Sequence, residues 1–410
     1  MHILFLTDNF PPEMNAPASR TFEHCREWVT AGHKVTVITC APNFPKGKLF
    51  SGYRNRIWQS EEIAGIHTIR VWSFISANEG FALRIADYLS FMFSAIIAAF
   101  FVRRFDVVIG TSPQFFTVVA AWITALIRRK PWVFELRDIW PESIRAVGAM
   151  KSSKILDLFE KLELFLYRKA DHIVVVTESF RKTLTQRGID TAKISVVTNG
   201  ADLSLYEPVA KDQSILQALN LQDKFVVGYI GTHGMAHALE TVLEAASIAS
   251  KSPAGKQIVF LLLGDGARKR HLVEQARLMQ LQNVIFLDSV AKDEVAKYWS
   301  ILDAAVIHLR NVHLFETVIP SKMFEAMAMG IPILLGLRGE AADIIRISGA
   351  GICFEPENAQ SLAQATLNLV ARPDNVSNIS EAGRRSAKLF DRKVLADRML
   401  TILQTKIYQK

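Results

Sequence analysis

Short apolar runs bounded by turn residues alternate along this chain with longer stretches in which apolar positions recur at helical spacing. The segment HILFLT at 2–7, a helical pattern near Ala18 to Ala31, the turn Gly32-His33 and the run KVTVITC predict a strand–helix–strand unit. The alternation continues through HTIRVW, a long apolar helix from Phe81, DVVIGTS, a helix around Thr117 to Arg128, PWVFELRD, a helix over Ser153 to Lys169, HIVVVTES and KISVVTNG. Unbroken runs rich in Val and Ile are the mark of parallel strands covered on both faces. A second series begins at KFVVGYIGTHG and passes through QIVFLLLGDGA, NVIFLDSV, DAAVIHLR, a helix from Ser321, IPILLGL and GICFEP. Between the two series, ADLSLYEPVAKDQS is polar and contains Pro, which predicts a linker near 202–214. The pattern thus predicts two doubly wound α/β domains, over 1–205 and 206–385, and a final segment over 386–410 whose helix crosses back to the first domain.

The longest uncharged run, YLSFMFSAIIAAFFV from Tyr88 to Val102, would form a helix of about 22 Å against a hydrocarbon core of about 30 Å. Such a helix is expected not to span a bilayer. Its apolar surface runs all round between Arg84 and Arg103-Arg104, which fits a helix lying in a membrane interface or one buried between sheet and neighbours. In KILDLFEKLELFLYRK, by contrast, Ile155, Phe159, Leu162 and Leu166 repeat at the spacing of a core-facing stripe. Composition narrows the class: 410 residues, 50% hydrophobic and 21% charged, describe a globular chain of two or three domains. Cys25, Cys40 and Cys353 are far apart and form no CxxC, so a reducing compartment is expected. The amino-terminal residues have no basic region and reach Thr7-Asp8-Asn9 too early for a signal peptide, which predicts a cytoplasmic protein. The net charge of +8 comes from scattered basic pairs with no interleaved aromatics, so nucleic acid is not an expected partner. An anionic membrane surface or a phosphate-bearing substrate remains.

In open parallel sheets, ligands sit beyond the carboxyl ends of the strands. Gly231-Thr232-His233-Gly234 is expected to end a strand and open a helix, aiming backbone N–H groups and the positive helix end at a phosphate; the same residues also suit an ordinary tight turn. GDGARK offers a second such turn, with Arg268 and Lys269 as cations. Neither is GxGxxG or GxxxxGK[ST], so the dinucleotide fingerprint and the Walker loop are absent from the sequence. There is no D-x-D, no HExxH and no close His/Cys/Glu set, which predicts a metal-independent mechanism without cofactor. A leaving diphosphate would then rely on backbone dipoles and on Arg or Lys. In PSKMFEAMAMG, Ser321 is expected as N-cap and Glu325 one turn into the helix, either as a structural carboxylate or as the acceptor of two ribose hydroxyls.

Taken together, GTHG…LETVLEA, GDGARK and PSKMFEAMAMGIPIL resemble family 4 retaining glycosyltransferases of the GT-B fold, in which two Rossmann-like domains face each other across a cleft. NFPPE, LRDIWPES and VTNGADL resemble the amino-terminal half of the same enzymes, and the likeness is strongest to the bacterial subgroup that builds O-antigen or capsule units, N-acetylfucosamine transferases among them. The resemblance implies a UDP-sugar in the second domain and a polyprenyl-diphosphate-linked sugar acceptor in the first, on the inner face of the plasma membrane. It implies that Glu325 holds the ribose, that Gly231, Thr232 and the helix after them receive the diphosphate, and that Arg268 and Lys269 lie near the diphosphate or base; His233, Lys269, Arg310 and Lys322 are the candidates for the positive charge that meets the diphosphate, and Ser321 completes the donor side. Asp138 and Glu316 are implied at the reaction centre, with Asn15, Arg20 and Arg137 on the acceptor side, Asn15 and Arg20 within the loop from Pro12 to Arg20. Two departures stand out: Thr317 occupies the position of the first of two family Glu residues, with Glu316 beside it, and Thr232 and His237 occupy those of an Arg and a Lys. A non-hydrolysing UDP-N-acetylglucosamine 2-epimerase of the same two-domain plan, or a nucleotide-sugar-binding protein without activity, are the alternatives.

Overall fold

The computed structural model describes residues 1–44, 47–75, 81–139, 154–291 and 294–408. The chain divides into two compact units, Met1–Thr198 together with Arg392–Lys410, and Asn199–Asp391.

The first unit is an eight-stranded sheet. Its strands are β1 (His2–Leu6), β2 (Lys34–Cys40), β3 (Trp58–Ile63), β4 (Ile66–Val71), β5 (Val107–Thr111), β6 (Trp132–Leu136), β7 (His172–Val175) and β8 (Ile194–Val196), in the spatial order β3-β4-β2-β1-β5-β6-β7-β8. All pairs are parallel except β3 with β4. The strand β3 has no counterpart in the apolar pattern, because WQSEEI is an edge strand with half-exposed and exposed residues in alternation. It turns back through Ala64 and Gly65, both at positive φ, as a tight two-residue hairpin requires. Among the described residues its helices include α1 (Ala16–Thr30), α2 (Phe81–Phe101), α3 (Phe115–Arg128), α4 (Lys154–Lys169) and α5 (Glu178–Gln186).

The second unit is an all-parallel sheet of β9 (Phe225–Ile230), β10 (Ile258–Leu263), β11 (Val284–Leu287), β12 (Ala304–His308), β13 (Ile333–Gly336) and β14 (Gly351–Cys353), ordered β11-β10-β9-β12-β13-β14. Its helices are α6 (Gln213–Ala218), α7 (Glu240–Ser250), α8 (Lys269–Leu278), α9 (Val295–Ser300), α10 (Lys322–Met329), α11 (Glu340–Ser348), α12 (Ala359–Val370) and α13 (Pro373–Ala387). In each sheet the chain reverses its direction of winding once, between β1 and β5 and between β9 and β12. The carboxyl ends of those strands are where an open α/β sheet leaves room for a ligand.

The last helix, α14 (Arg392–Ile402), belongs to the first unit. The Trp28 indole of α1 donates to the Ala396 carbonyl at 2.9 Å, and the buried pair Arg392–Glu23 closes at 2.7 Å. Met399 and Leu403 join Trp28 and Phe5 in one apolar cluster.

The helix α2 is longer than its uncharged run: it has 21 residues, or about 31 Å at 1.5 Å per residue. Its length and composition alone would let 19 residues, Leu83–Phe101, cross a membrane, so the expectation that it is too short to span is corrected. One face is nevertheless in the core, where Phe91, Met92, Ala95, Ala98 and Ala99 are buried. The opposite face leaves Phe93, Ile97, Phe100 and Phe101 exposed.

Candidate functional site

The donor-side residues gather where β9 and β10 end. Gly231 and Gly264 have φ of 142° and 147°, and a Cβ on Gly264 would lie 1.8 Å from the Gly231 carbonyl oxygen. Only glycine lets the two strand ends approach this closely. Backbone bonds then lace the loops together: Gly231 N donates to Leu263 O at 2.8 Å, His233 N to Asp265 O at 2.8 Å, and Arg268 N to His233 O at 2.9 Å. The amides of Thr232 and Gly234 find no acceptor among the described residues.

Two local expectations are corrected. No helix opens at Gly234: a 3₁₀ turn, Met235–His237, intervenes, with Ala238 at a φ of 42°, and α7 begins only at Glu240. Ser321 stands at the cap position of α10 but its side chain makes no capping bond. Its φ and ψ of −59° and −31° are already helical, whereas a capping hydroxyl folds back from extended backbone.

The cations of this rim differ in what they meet. The Arg268 guanidinium is engaged by the Glu240 carboxylate at the start of α7, with Nε at 3.0 Å. Lys269 Nζ donates to Gly264 O at 2.8 Å, to Leu287 O at 2.9 Å and to the Asp288 carboxylate. Lys269 thus ties two strand ends to α8, and Arg268 ties the cap of α8 to the start of α7. Arg310 is exposed, and its amide joins Ala236 O at 2.9 Å across the point where winding reverses. Lys322 lies under Gly231, 4.6 Å from the Tyr229 ring centre and 3.3 Å from its hydroxyl, and burial pushes its ammonium down to about 8. Tyr229, which the apolar pattern of β9 concealed, donates in turn to Thr232 O at 2.7 Å.

Three imidazoles surround this arrangement, and burial is the leading reason each is neutral at pH 7. His233 is held down to about 4, His237 to about 3 and His308 to about 4. Neither ring nitrogen of the buried His233 has a hydrogen-bond partner among the described residues. Glu325 is half-buried one turn along α10 from Lys322. In a separate 3₁₀ turn, His313–Thr317, Glu316 pairs with His313 at 3.2 Å while the Thr317 hydroxyl donates to Leu314 O.

In the first unit, the residues assigned to the acceptor side bond largely to the protein's own backbone. Arg20 is buried, with Nε 2.9 Å from Glu135 and its terminal nitrogens donating to Thr198 O and Val197 O. Arg137 donates to Pro17 O and Ala16 O, and burial lowers its guanidinium to about 9. Asn15 caps α1 by accepting from Ala18 N at 2.9 Å. Asp138 follows β6, its amide donating to the Ser112 hydroxyl at 3.2 Å; the rest of RDIWPES, from Trp140, lies outside the described residues. Glu13 of NFPPE, whose role the sequence does not signal, accepts from three backbone amides, Phe10, Asn43 and Phe44. Burial raises its carboxyl to about 7.

Two family descriptions match in tandem: a glycosyl transferase 4-like domain over residues 15–200 and glycosyl transferases group 1 over 224–372. The chain is a GT-B glycosyltransferase. Its relatives include transferases of bacterial surface polysaccharides: WcaI of Escherichia coli (strain K12), assigned to colanic acid biosynthesis, is 23% identical over 94% of this chain and 96% of that one. Among solved structures, sucrose-phosphate synthase of Thermosynechococcus elongatus superposes with a TM-score of 0.75 at 18% identity, covering 98% of each chain. HepE of Anabaena, solved with UDP-glucose, gives 0.72 at 17% identity over 99% of this chain and 100% of its own. The fold expected from the alternating pattern, two doubly wound α/β units, is that of this glycosyltransferase. Among its described residues no group of three or more His, Cys, Asp or Glu side chains could hold a metal ion.

Proposed function

We propose that this glycosyltransferase moves a sugar, an N-acetylated deoxyhexose, with retention from a UDP-sugar to a polyprenyl-diphosphate-linked saccharide in bacterial surface polysaccharide synthesis. The observation that carries the reading is the junction at Gly231. There two amides without an acceptor among the described residues, the Lys322 ammonium and a helix bearing Glu325 converge at the carboxyl end of β9. Such a junction suits a diphosphate with its ribose, since amide dipoles and a fixed cation stabilise the charge that develops on the leaving group. Support for the donor comes from the likeness to HepE, solved with UDP-glucose, and for the pathway from the likeness to WcaI. Both family descriptions are of transferases, which weighs against the epimerase alternative.

In this reading the departing diphosphate oxygen takes the acceptor hydroxyl's proton as the new glycosidic bond forms on the same face. Asp138 orients the transferred sugar, and Glu316 serves beside Thr317. Lipid-linked acceptors are met at a membrane surface, and the exposed face of α2, flanked by Arg103, Arg104, Arg129 and Lys130, is suited to rest there without spanning. The test is a screen of UDP-sugars for release of UDP with and without lipid acceptor. Acceptor-dependent release with one donor, with the anomeric configuration kept in the product, is expected. Release that ignores the acceptor, or a product of inverted configuration, would refute the proposal.

A further inference from the structure

The sequence carries Thr232 and His237 where the resemblance implies an Arg and a Lys, so the positive charge that meets a diphosphate would have to come from another residue of the rim. We propose that Lys322 is the cation that grips the donor's diphosphate, seated for that task by Tyr229 and Gly231. The inference rests on the nucleotide-sugar reading above.

The geometry separates Lys322 from the other basic groups of the rim. Arg268 and Lys269 are each neutralised by a carboxylate, Glu240 and Asp288. Arg310 is exposed, where water weakens any single charge. The Lys322 ammonium has one hydrogen-bond partner among the described residues, the neutral Tyr229 hydroxyl, and otherwise lies over that ring. It presses so closely on Gly231 that a Cβ there would come 1.7 Å from Nζ and 2.3 Å from Cε. The charge is therefore delivered to the turn whose Thr232 and Gly234 amides have no acceptor among the described residues. Lys322 and Glu325 are three residues apart on α10, so they share one helical face about 5–6 Å apart at Cβ. That separation matches adjoining parts of one nucleotide, the diphosphate and the ribose.

The groups that face Lys322 leave it as the one that titrates near neutrality. Tyr229 on β9 is raised far beyond the working range by burial, and His233 and His237 beyond β9 stay neutral. Glu325, on its own helix, favours the charged ammonium.

Calorimetry on the whole chain compares UDP with uridine for the native protein and for Lys322→Met. UDP affinity should fall about ten- to a hundredfold in the variant, as loss of a charge-assisted contact implies, while uridine affinity is unchanged. In the native protein UDP affinity should also fall as pH rises above about 8, with uridine again flat; this arm needs no variant and stands if Lys322→Met fails to fold. An unchanged UDP affinity, a parallel loss of uridine binding, or a flat pH profile would overturn the assignment. Parallel titrations with GDP, ADP and dTDP separate the two claims. If the native protein prefers another diphosphate, the uridine reading fails and Lys322 is judged on that nucleotide against its nucleoside. If it binds none, both fall.

Discussion

At the scale of single residues, Glu325 and Asp138 make separable demands on the chemistry. A carboxylate accepting two ribose hydroxyls contributes about 1.5–3 kcal/mol. Glu325→Ala should therefore weaken UDP and uridine together by that amount with the melting temperature preserved; unchanged affinity would leave Glu325 as a structural carboxylate near a helix start. This is the opposite signature to Lys322→Met, which spares uridine. Asp138 sits at the end of a buried strand with its amide fixed by Ser112, and Asp138→Asn should lower kcat at saturating donor at least tenfold. Near-normal kcat would remove it from the reaction centre. Glu325 was legible in the sequence because PSKMFEAMAMG fixes its turn of helix. Tyr229 was not, because a phenol inside VVGYI reads as one more apolar strand position until its hydroxyl is seen bridging Lys322 and Thr232 O.

Among the elements, α2 carries the clearest prediction. Phe100 and Phe101 are 57% and 70% exposed, and Phe101 meets Trp58 of β3 edge to face at 6.1 Å. Arg128 holds the helix end by donating to Ala99 O and Phe100 O, so replacing both Phe by Ser should leave the fold intact. The native protein should float with anionic liposomes, less so in high salt, and the double variant should stay behind; a native protein that never floats would refute docking through this helix. Phe91, in the same uncharged run, is 1% exposed and belongs to the core. Periodicity could not divide the helix into faces, because its apolar residues run all round. The parallel strands were legible because burial on both faces makes them continuous apolar runs, while edge strand β3 was concealed by the charges that keep it solvated. The late start of α7 was equally hidden: nothing in GTHGMAHALE marks a 3₁₀ turn at Met235–His237.

For the whole molecule, acid should act unequally on the two units. In the second unit His233, His237 and His308 bind protons only near pH 3–4 when folded, against about 6.5 when unfolded. The unfolded state therefore takes up more protons as pH falls from 6.5, and the stability these groups contribute is lost through pH 4. In the first unit, burial raises Glu13 and Asp87 to about 7 and Glu163 to about 8. Their contribution has the opposite sign: present below the unfolded value near 4.5 and lost as pH rises through 7 to 8. Scanning calorimetry at pH 7.5 and 5.5 should show the transition of residues 199–391 moving down on acidification and that of the first unit moving up, with the buried His24, held well below its ordinary value, offsetting part of the rise; a downward shift of both would contradict the assignment.

The return of the chain at Arg392 also sets an order of events during synthesis. The seat for α14, lined by Trp28, Glu23 and Phe5, is made early and stands open until residues 392–403 emerge. Between them lie the 193 residues of 199–391, which take about 10–40 s to translate at 5–20 residues per second. For that interval the nascent first unit carries an apolar groove that only its own distant segment fills. A ribosome stalled anywhere in the second unit would thus display a nearly complete sheet with part of one face, beside α1, uncovered, a natural substrate for chaperones that bind exposed apolar surface.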